Sequence, residues 1–362
     1  MIRFEPRLER SPLMVYSTPL IAVGLTILAG MAMFAMLGKD PVQAMRLIFV
    51  DPFASPFSRA ELLVKGTPLV LIALGLAFGF RANVWNIGAE GQFTVGALGG
   101  GAVALAFYEV EGFWLIPLMC FAGTACGMIW AAIPAFLRIR FNTSEILVSL
   151  MLTYVAILLL TAMVNGPLRD PDGFNFPESR LFHDAAILPI VIEGTRAHIG
   201  VIMALVAVFV AFIFVERHIL GVQIKLFGQA PRAARFAGFS EGRVIAGCLL
   251  ISGALAGLAG VLEAAGPIGQ LVPSIPVGYG FTAIIVAFLG RLHPIGILLA
   301  GTVMALTYIG GDSAQLALQL PSAVTSVFQG MLLFFLLGVD LLVGYRICFS
   351  KPSVVLASGA ND

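Results

Sequence analysis

Ten stretches of the chain are long, uninterrupted and apolar, and no other feature limits its fold as severely. They fall near residues 18–37, 61–80, 88–108, 113–137, 145–164, 198–216, 243–265, 277–290, 294–311 and 322–344. A hydrocarbon core needs about 20 apolar residues for each helical crossing. The runs are continuous, whereas the strands of a membrane barrel alternate apolar and polar positions. The expected fold is therefore an all-α polytopic membrane protein with about ten transmembrane helices. The eighth and ninth runs are short, and only Arg291, Leu292 and His293 separate their cores.

Composition narrows the function. Of 362 residues, 59% are apolar and 11% are charged, and the mean hydropathy is +0.99. Ordinary soluble domains carry about a quarter charged residues, so a water-soluble enzyme is excluded. Lys and Arg number 21 against 20 Asp and Glu. That balance leaves no cationic surplus for phosphates, which excludes a nucleic-acid partner. Cys120, Cys126, Cys248 and Cys348 lie in or beside apolar runs without a CxxC pair. They suit buried small hydrophobes rather than disulfides or metal ligands. Arg3, Arg7 and Arg10 precede the first run in the manner of a signal peptide. That run is longer than a signal core and more follow it, so it is expected to be an uncleaved first helix.

Basic residues set the orientation. With both termini in the cytoplasm, the inside segments hold 14 Lys and Arg and the outside segments hold 7. The domain expectation is a cytoplasmic segment 1–17, one transmembrane domain 18–345 and a cytoplasmic tail 346–362. Within the domain lie an extracytoplasmic loop 165–197 and a cytoplasmic loop 217–242. Neither loop is large enough to fold into an ATPase. The chain also lacks a GxSxG elbow, an HExxH pair and a P-loop, so it is not expected to be an enzyme.

A weak repeat appears at an offset of 208 residues. Phe80, Ile87 and Gly88 match Phe288, Ile295 and Gly296, and Thr94, Val95, Ala97 and Leu98 match Thr302, Val303, Ala305 and Leu306. Transporters often place a solute path between such repeats, beside broken helices. Both copies contain a break, near 81–90 and 290–296.

The polar residues leave alternatives open. Pro231 and Gly238 bracket about two turns containing Arg232, Ala233, Ala234, Arg235 and Ala237. This short basic helix could rest on anionic headgroups or dock a soluble partner that delivers force. The stretch 83–92 carries Asn83, Trp85, Asn86, Glu90 and Gln92. As a shallow turn, Asn86 would cap the next helix and Glu90 would sit in its first turn. As a deep break, its amides could hydrogen-bond a polar solute. Asn142 and Glu145 have capping-box spacing, and Glu263 reads as a surface carboxylate at a helix end. The run SGALAGLAG permits close helix contact, inside the subunit or between subunits.

Five segments, in order, carry a resemblance. FRANVWNIGAEGQ resembles the NIG-x-EGQ signature of bacterial ABC-importer permeases for simple sugars and nucleosides. NTSEILVSLMLTYVA with NGPLRDP, then GQAPRAARFAGFS, SGALAGLAGVLEAAG and GYGFTAIIVAFLGRLHPIGILLAG are similar to later blocks of that family, and together the matches cover roughly 65–345. They resemble the nucleoside-type branch more than the ribose-type branch. The sequence departs from the pattern at Thr153 and Thr282, where the family often has Asn and Asp.

The resemblance implies a permease subunit in the bacterial inner membrane. Its partners would be an ABC ATPase, a related permease or a second copy, an extracytoplasmic substrate-binding lipoprotein, and membrane lipid. ATP and Mg would belong to the ATPase, and this chain would hold no cofactor. Gly228, Pro231, Arg232, Ala233, Ala234, Arg235, Ala237 and Gly238 would form the ATPase-coupling segment. Trp85, Asn86, Glu90, Gln92 and Thr282 would be candidates for the solute path. An ion-coupled secondary transporter is the alternative, and it would need an embedded carboxylate such as Glu90.

Overall fold

The computed structural model describes residues 2–6, 12–321 and 323–349, with side chains for 17–321 and 323–339. Its helices are α1 (Pro12–Met36), α2 (Pro41–Phe49), α3 (Pro56–Arg81), α4 (Ala89–Ala106), α5 (Leu115–Phe141), α6 (Glu145–Asn165), α7 (Gly200–Glu216), α8 (Ile219–Gln229), α9 (Pro231–Phe236), α10 (Glu241–Glu263), α11 (Tyr279–Leu289), α12 (Pro294–Leu318) and α13 (Ala323–Gly344). Every apolar run falls on one of them. Among the described residues, α1, α3, α5, α6, α10 and α12 are each long and apolar enough to cross a membrane. Helices α7 and α8 reach that length only as a pair bent by 67°. Such a set of helices makes the chain a multi-pass membrane protein.

Two features lie outside the ten runs, and the second departs from the all-α expectation. The polar segment 38–58 forms the amphipathic helix α2 and a 3-10 turn at Asp51–Phe53. Strands β1 (Ile2–Pro6) and β2 (Tyr345–Phe349) pair antiparallel, with Ile2 opposite Phe349 and Pro6 opposite Tyr345. These short polar-flanked segments carry too little hydrophobic pattern to read as strands. The Cys348 side chain and the tail beyond Phe349 lie outside the described residues.

The chain divides into two compact units. One comprises residues up to 44 and from 326 onward; the other runs from 45 to 325. In the second unit α3 is the central helix, buried along nearly all its length. Ser55 starts it by accepting from Ser58 N at 3.0 Å, with Pro56 in the first turn, where its missing N–H costs nothing. Helices α4, α5 and α10 meet backbone to backbone. A methyl group on Gly96 would overlap Gly257, one on Gly127 would overlap the Gly253 oxygen, and one on Gly260 would overlap the Phe93 oxygen. The SGALAGLAG run therefore serves packing inside the unit.

The capping-box expectation is corrected. Asn142 closes α5 in the left-handed region at φ 54°, which Asn tolerates better than most residues, and Ser144 caps α6 instead. Glu145 is ion-paired with Arg138 and accepts from Trp85 N at 3.2 Å.

Candidate functional site

The stretch after α3 turns back into the bundle. Asn83 takes a left-handed φ of 58°, and Val84 N donates to Gly79 O at 2.9 Å. The chain then climbs beside α3 until Asn86 Nδ2 reaches Ser252 Oγ at 2.8 Å. Ser252 itself abuts Gly75, one turn further along α3. Ala82, Val84, Asn86 and Gly88 are all buried. The break is thus packed within the bundle.

Asn86 and Gln92 pair amide to amide. Asn86 Nδ2 donates to Gln92 Oε1 at 2.8 Å, and Gln92 Nε2 donates to Asn86 Oδ1 at 3.1 Å. Asn86 Oδ1 also accepts from Gly88 N at 3.1 Å, so Asn86 closes a turn, while Gly88 occupies the N-cap of α4. These buried polar groups satisfy one another, as burial requires.

Glu90 does more than favour its own helix dipole. Its two carboxylate oxygens accept from Gly278 N at 2.7 Å and Gly280 N at 2.5 Å. It thereby caps α11, a helix whose first amides have no intrahelical partner. Gly278 adopts φ +91° and Gly280 abuts the Glu90 backbone, so both glycines are required for this approach.

The same region holds a polar cluster that sequence reading missed. Lys65 Nζ donates to Tyr279 Oη at 2.6 Å and stands 3.5 Å from Glu263 Oε1. Tyr279 Oη donates to Glu263 Oε1 at 3.1 Å. Glu263 is only 5% exposed, which overturns its reading as a surface carboxylate. Thr282 Oγ1 and Tyr308 Oη share a hydrogen bond at 2.9 Å, and the Tyr279 and Tyr308 rings meet edge to face at 5.8 Å. Beside the cluster, Glu61 holds Arg196 through two bonds of 2.8 and 2.7 Å. Lys65 lay inside an apolar run and Glu263 at the end of another; only an ionisable residue at such a position could have signalled the cluster.

Trp85 sits at the opposite end of α11. Its ring lies 4.9 Å from Phe80 and 5.9 Å from Phe288, and its indole N–H donates to Asn83 Oδ1 at 3.1 Å. Thr282 thus lies near the start of α11, bonded to Tyr308, and Trp85 lies on the break packed against its far end.

Pro231 begins α9 as expected, and Gly238 ends the segment at φ +83°. Ala234 anchors the helix, while Arg232, Ala233, Arg235, Phe236 and Ala237 are exposed. Arg235 pairs with Glu241 at 3.0 Å. Phe236, which the sequence analysis did not single out, is 93% exposed. Gly228 on α8 lies against the Arg81 carbonyl, where a methyl group would overlap it. Arg81 Nε in turn donates to Leu292 O at 3.0 Å, in the break between α11 and α12. Arg291 and Leu292 form that break with φ of 55° and 57°.

Comparison with known proteins agrees with this architecture. A family model described as the permease component of the branched-chain amino acid transport system matches residues 58–337, from α3 into α13. Glucose ABC transporter permease protein TsgB13 of Haloferax volcanii is 35% identical across 96% of this chain and 93% of its own length. Guanosine ABC transporter permease protein NupP of Bacillus subtilis is 29% identical across 88% and 91%, respectively. Nucleoside ABC transporter permease protein NupB of Lactococcus lactis is 28% identical across 95% of each chain. No solved structure matches. The chain belongs to this permease-component family: it is a multi-pass membrane subunit of an ABC importer, and ATP hydrolysis falls to a separate subunit.

Proposed function

We propose that this subunit carries a neutral nucleoside or simple-sugar-like solute inward across a bacterial cell membrane by alternating access. Three relatives bear names of glucose, guanosine or nucleoside permeases. The polar cluster supports a neutral solute on chemical grounds. Lys65 is offset by Glu263, and Arg196 by Glu61, so these two cations of the cluster are already balanced and do not call for a phosphate group. Tyr and Thr hydroxyls beside an aromatic lining suit sugar hydroxyls and a flat base. Trp85 and Thr282 touch the solute, while Asn86, Glu90 and Gln92 hold the walls.

The chain crosses about ten times, the half-length α11 together with the segment that leads into it, and both termini are cytoplasmic. The pairing of β1 with β2 supports an even number of crossings, since it joins the two ends. Loop 217–242 is then cytoplasmic and α9 faces the ATPase, with Arg232 and Arg235 meeting acidic groups and Phe236 filling an apolar recess. ATP and Mg bind that partner. A related permease or a second copy completes the passage, and an extracytoplasmic lipoprotein delivers the solute.

The observation that carries this reading is the route from α9 to both breaks. Gly228 presses on Arg81, and Arg81 bonds to Leu292. A push on α9 therefore reaches the ends of α3 and α11 together. Coupling to an ion gradient finds no support at Glu90, both of whose oxygens are occupied by backbone amides. The test is uptake into proteoliposomes. Labelled guanosine and glucose are offered to the permease with its ATPase and binding protein. ATP-dependent uptake that survives an ionophore is expected; uptake without the ATPase would sink the proposal.

A further inference from the structure

The loop between α6 and α7 is laced to the segment that leads into α11. Ser179 N donates to Leu271 O at 3.0 Å, and Leu271 N donates to Ser179 Oγ at 2.9 Å. Phe182 N donates to Gly269 O at 2.7 Å, and Leu188 N donates to Ala265 O at 2.9 Å. Gln270 Nε2 adds a bond to Glu178 at 3.3 Å. The recipient segment begins with a π turn at Ala264–Ile268, passes Gly269 and Gly278 in left-handed conformations, and ends where Glu90 caps α11. Lys65, Glu263 and Tyr279 meet at the same place.

The loop tip is built in an unfavourable way. Phe174 and Asn175 both have positive φ, 46° and 73°. Asn adopts this region readily, but for a bulky residue such as Phe it is strained. The strained residue is also 94% exposed, and Phe176 is 61% exposed. The surrounding bonds hold the tip in place. Arg169 donates to Asn175 Oδ1 at 2.5 Å, Asp170 N donates to Glu178 O at 2.9 Å, and Arg180 lies near both Asp170 and Asp172. Arg180 also sits over the Tyr108 ring at 5.7 Å. The tip thus holds two aromatic rings in solvent on a strained backbone.

Charge selects the occupant. Residues 168–184 contain Asp170, Asp172, Glu178 and Asp184 against Arg169 and Arg180. An acidic tip is repelled by anionic lipid headgroups. It fits a protein surface with an apolar socket rimmed by Lys or Arg, where buried aromatic anchors dominate binding. We infer that Phe174 and Phe176 are the anchors on which the extracytoplasmic solute-binding protein docks, and that the strap 265–271 passes its docking to the head of α11. This rests on the importer reading with the loop outside.

The experiment uses the assembled transporter in native membranes, with benzoyl-phenylalanine at position 174. Illumination is expected to give an adduct with a solute-binding protein, identified by peptide mass. Adducts confined to phospholipid or to the second permease would overturn the assignment. Phe174→Gly relieves the strain and keeps the loop. Uptake of labelled guanosine or glucose at limiting binding protein should fall about tenfold, and excess binding protein should restore it. Unchanged uptake in this variant, beside a wild type that depends on binding protein, would remove the docking surface alone. A wild type indifferent to binding protein would remove the importer reading as well. Ser179→Ala should leave the adduct intact and lower uptake; undiminished uptake would remove the strap.

Discussion

The rings of Phe80 and Phe288 stack at 5.1 Å and 17°, and the two residues hold the same position in the segment that recurs at an offset of 208. Each closes a helix just before a break. The two breaks therefore meet at matched points, with Trp85 packed against both rings. Replacing either Phe with Ala should lower the thermal midpoint of the purified protein. The double variant should cost less than the sum of the singles, by about 0.5–1.5 kcal/mol. Strict additivity in a double-mutant cycle would show that the stack contributes nothing of its own.

Gly228→Ala places a methyl group on the Arg81 carbonyl, and backbone cannot swing aside. Uptake in proteoliposomes should drop to background while the ATPase subunit still co-purifies, because the gripping surface on α9 is untouched. Normal uptake would show that α8 moves independently of α3.

The two arginines of α9 should not be equal. Arg235 already pairs with Glu241 at 3.0 Å, so it has less charge to offer a partner. Arg232→Glu should weaken ATPase recovery in co-purification more than Arg235→Glu, and Phe236→Ala should weaken it too. Full recovery with both arginines reversed would remove α9 from the contact.

Glu90→Gln leaves one acceptor where the amides of Gly278 and Gly280 now find two. A charged acceptor is also stronger than a neutral one. The variant should lose about 1.5–3 kcal/mol of stability, read as a lower melting temperature in detergent. A wild-type melting curve would show that α11 needs no such cap.

His198 lies two residues ahead of α7 and is buried, and burial lowers its pKa from 6.5 to about 4. Its Nδ1 accepts from Gly200 N at 3.2 Å, and Gly200 and Gly266 leave room only for hydrogen beside the ring. The unfolded chain takes up a proton near pH 6.5 and the folded one does not. Stability is therefore full above that value and falls as pH drops toward 4, after which this group adds no further loss. The whole change is on the order of 3 kcal/mol. Melting temperatures measured from pH 7.5 down to about 5 should decline, and His198→Asn should flatten the decline. An identical slope in the variant would assign it to other groups.

Much of this was legible because helices in lipid announce themselves by length and apolarity. The ten runs marked ten helices, and Pro231 with Gly238 marked the ends of the α9 segment. What stayed hidden depends on contacts distant in sequence. Lys65 and Glu263 lie 198 residues apart, and the carboxylate that starts α11 comes from α4. Asn142 and Ser144 show a local limit: both are good caps, and only the φ of 54° at Asn142 assigns it to the preceding helix.

Where α4, α5 and α10 touch, glycine lets main chain lie against main chain, at Gly96 on Gly257, Gly127 on Gly253 and Gly260 on Phe93. Such a seam behaves as a keel. It cannot shear without prising main chains apart, so whatever rocks during a transport cycle must hinge around it, through the half-length α11 and the bent α7–α8 arm.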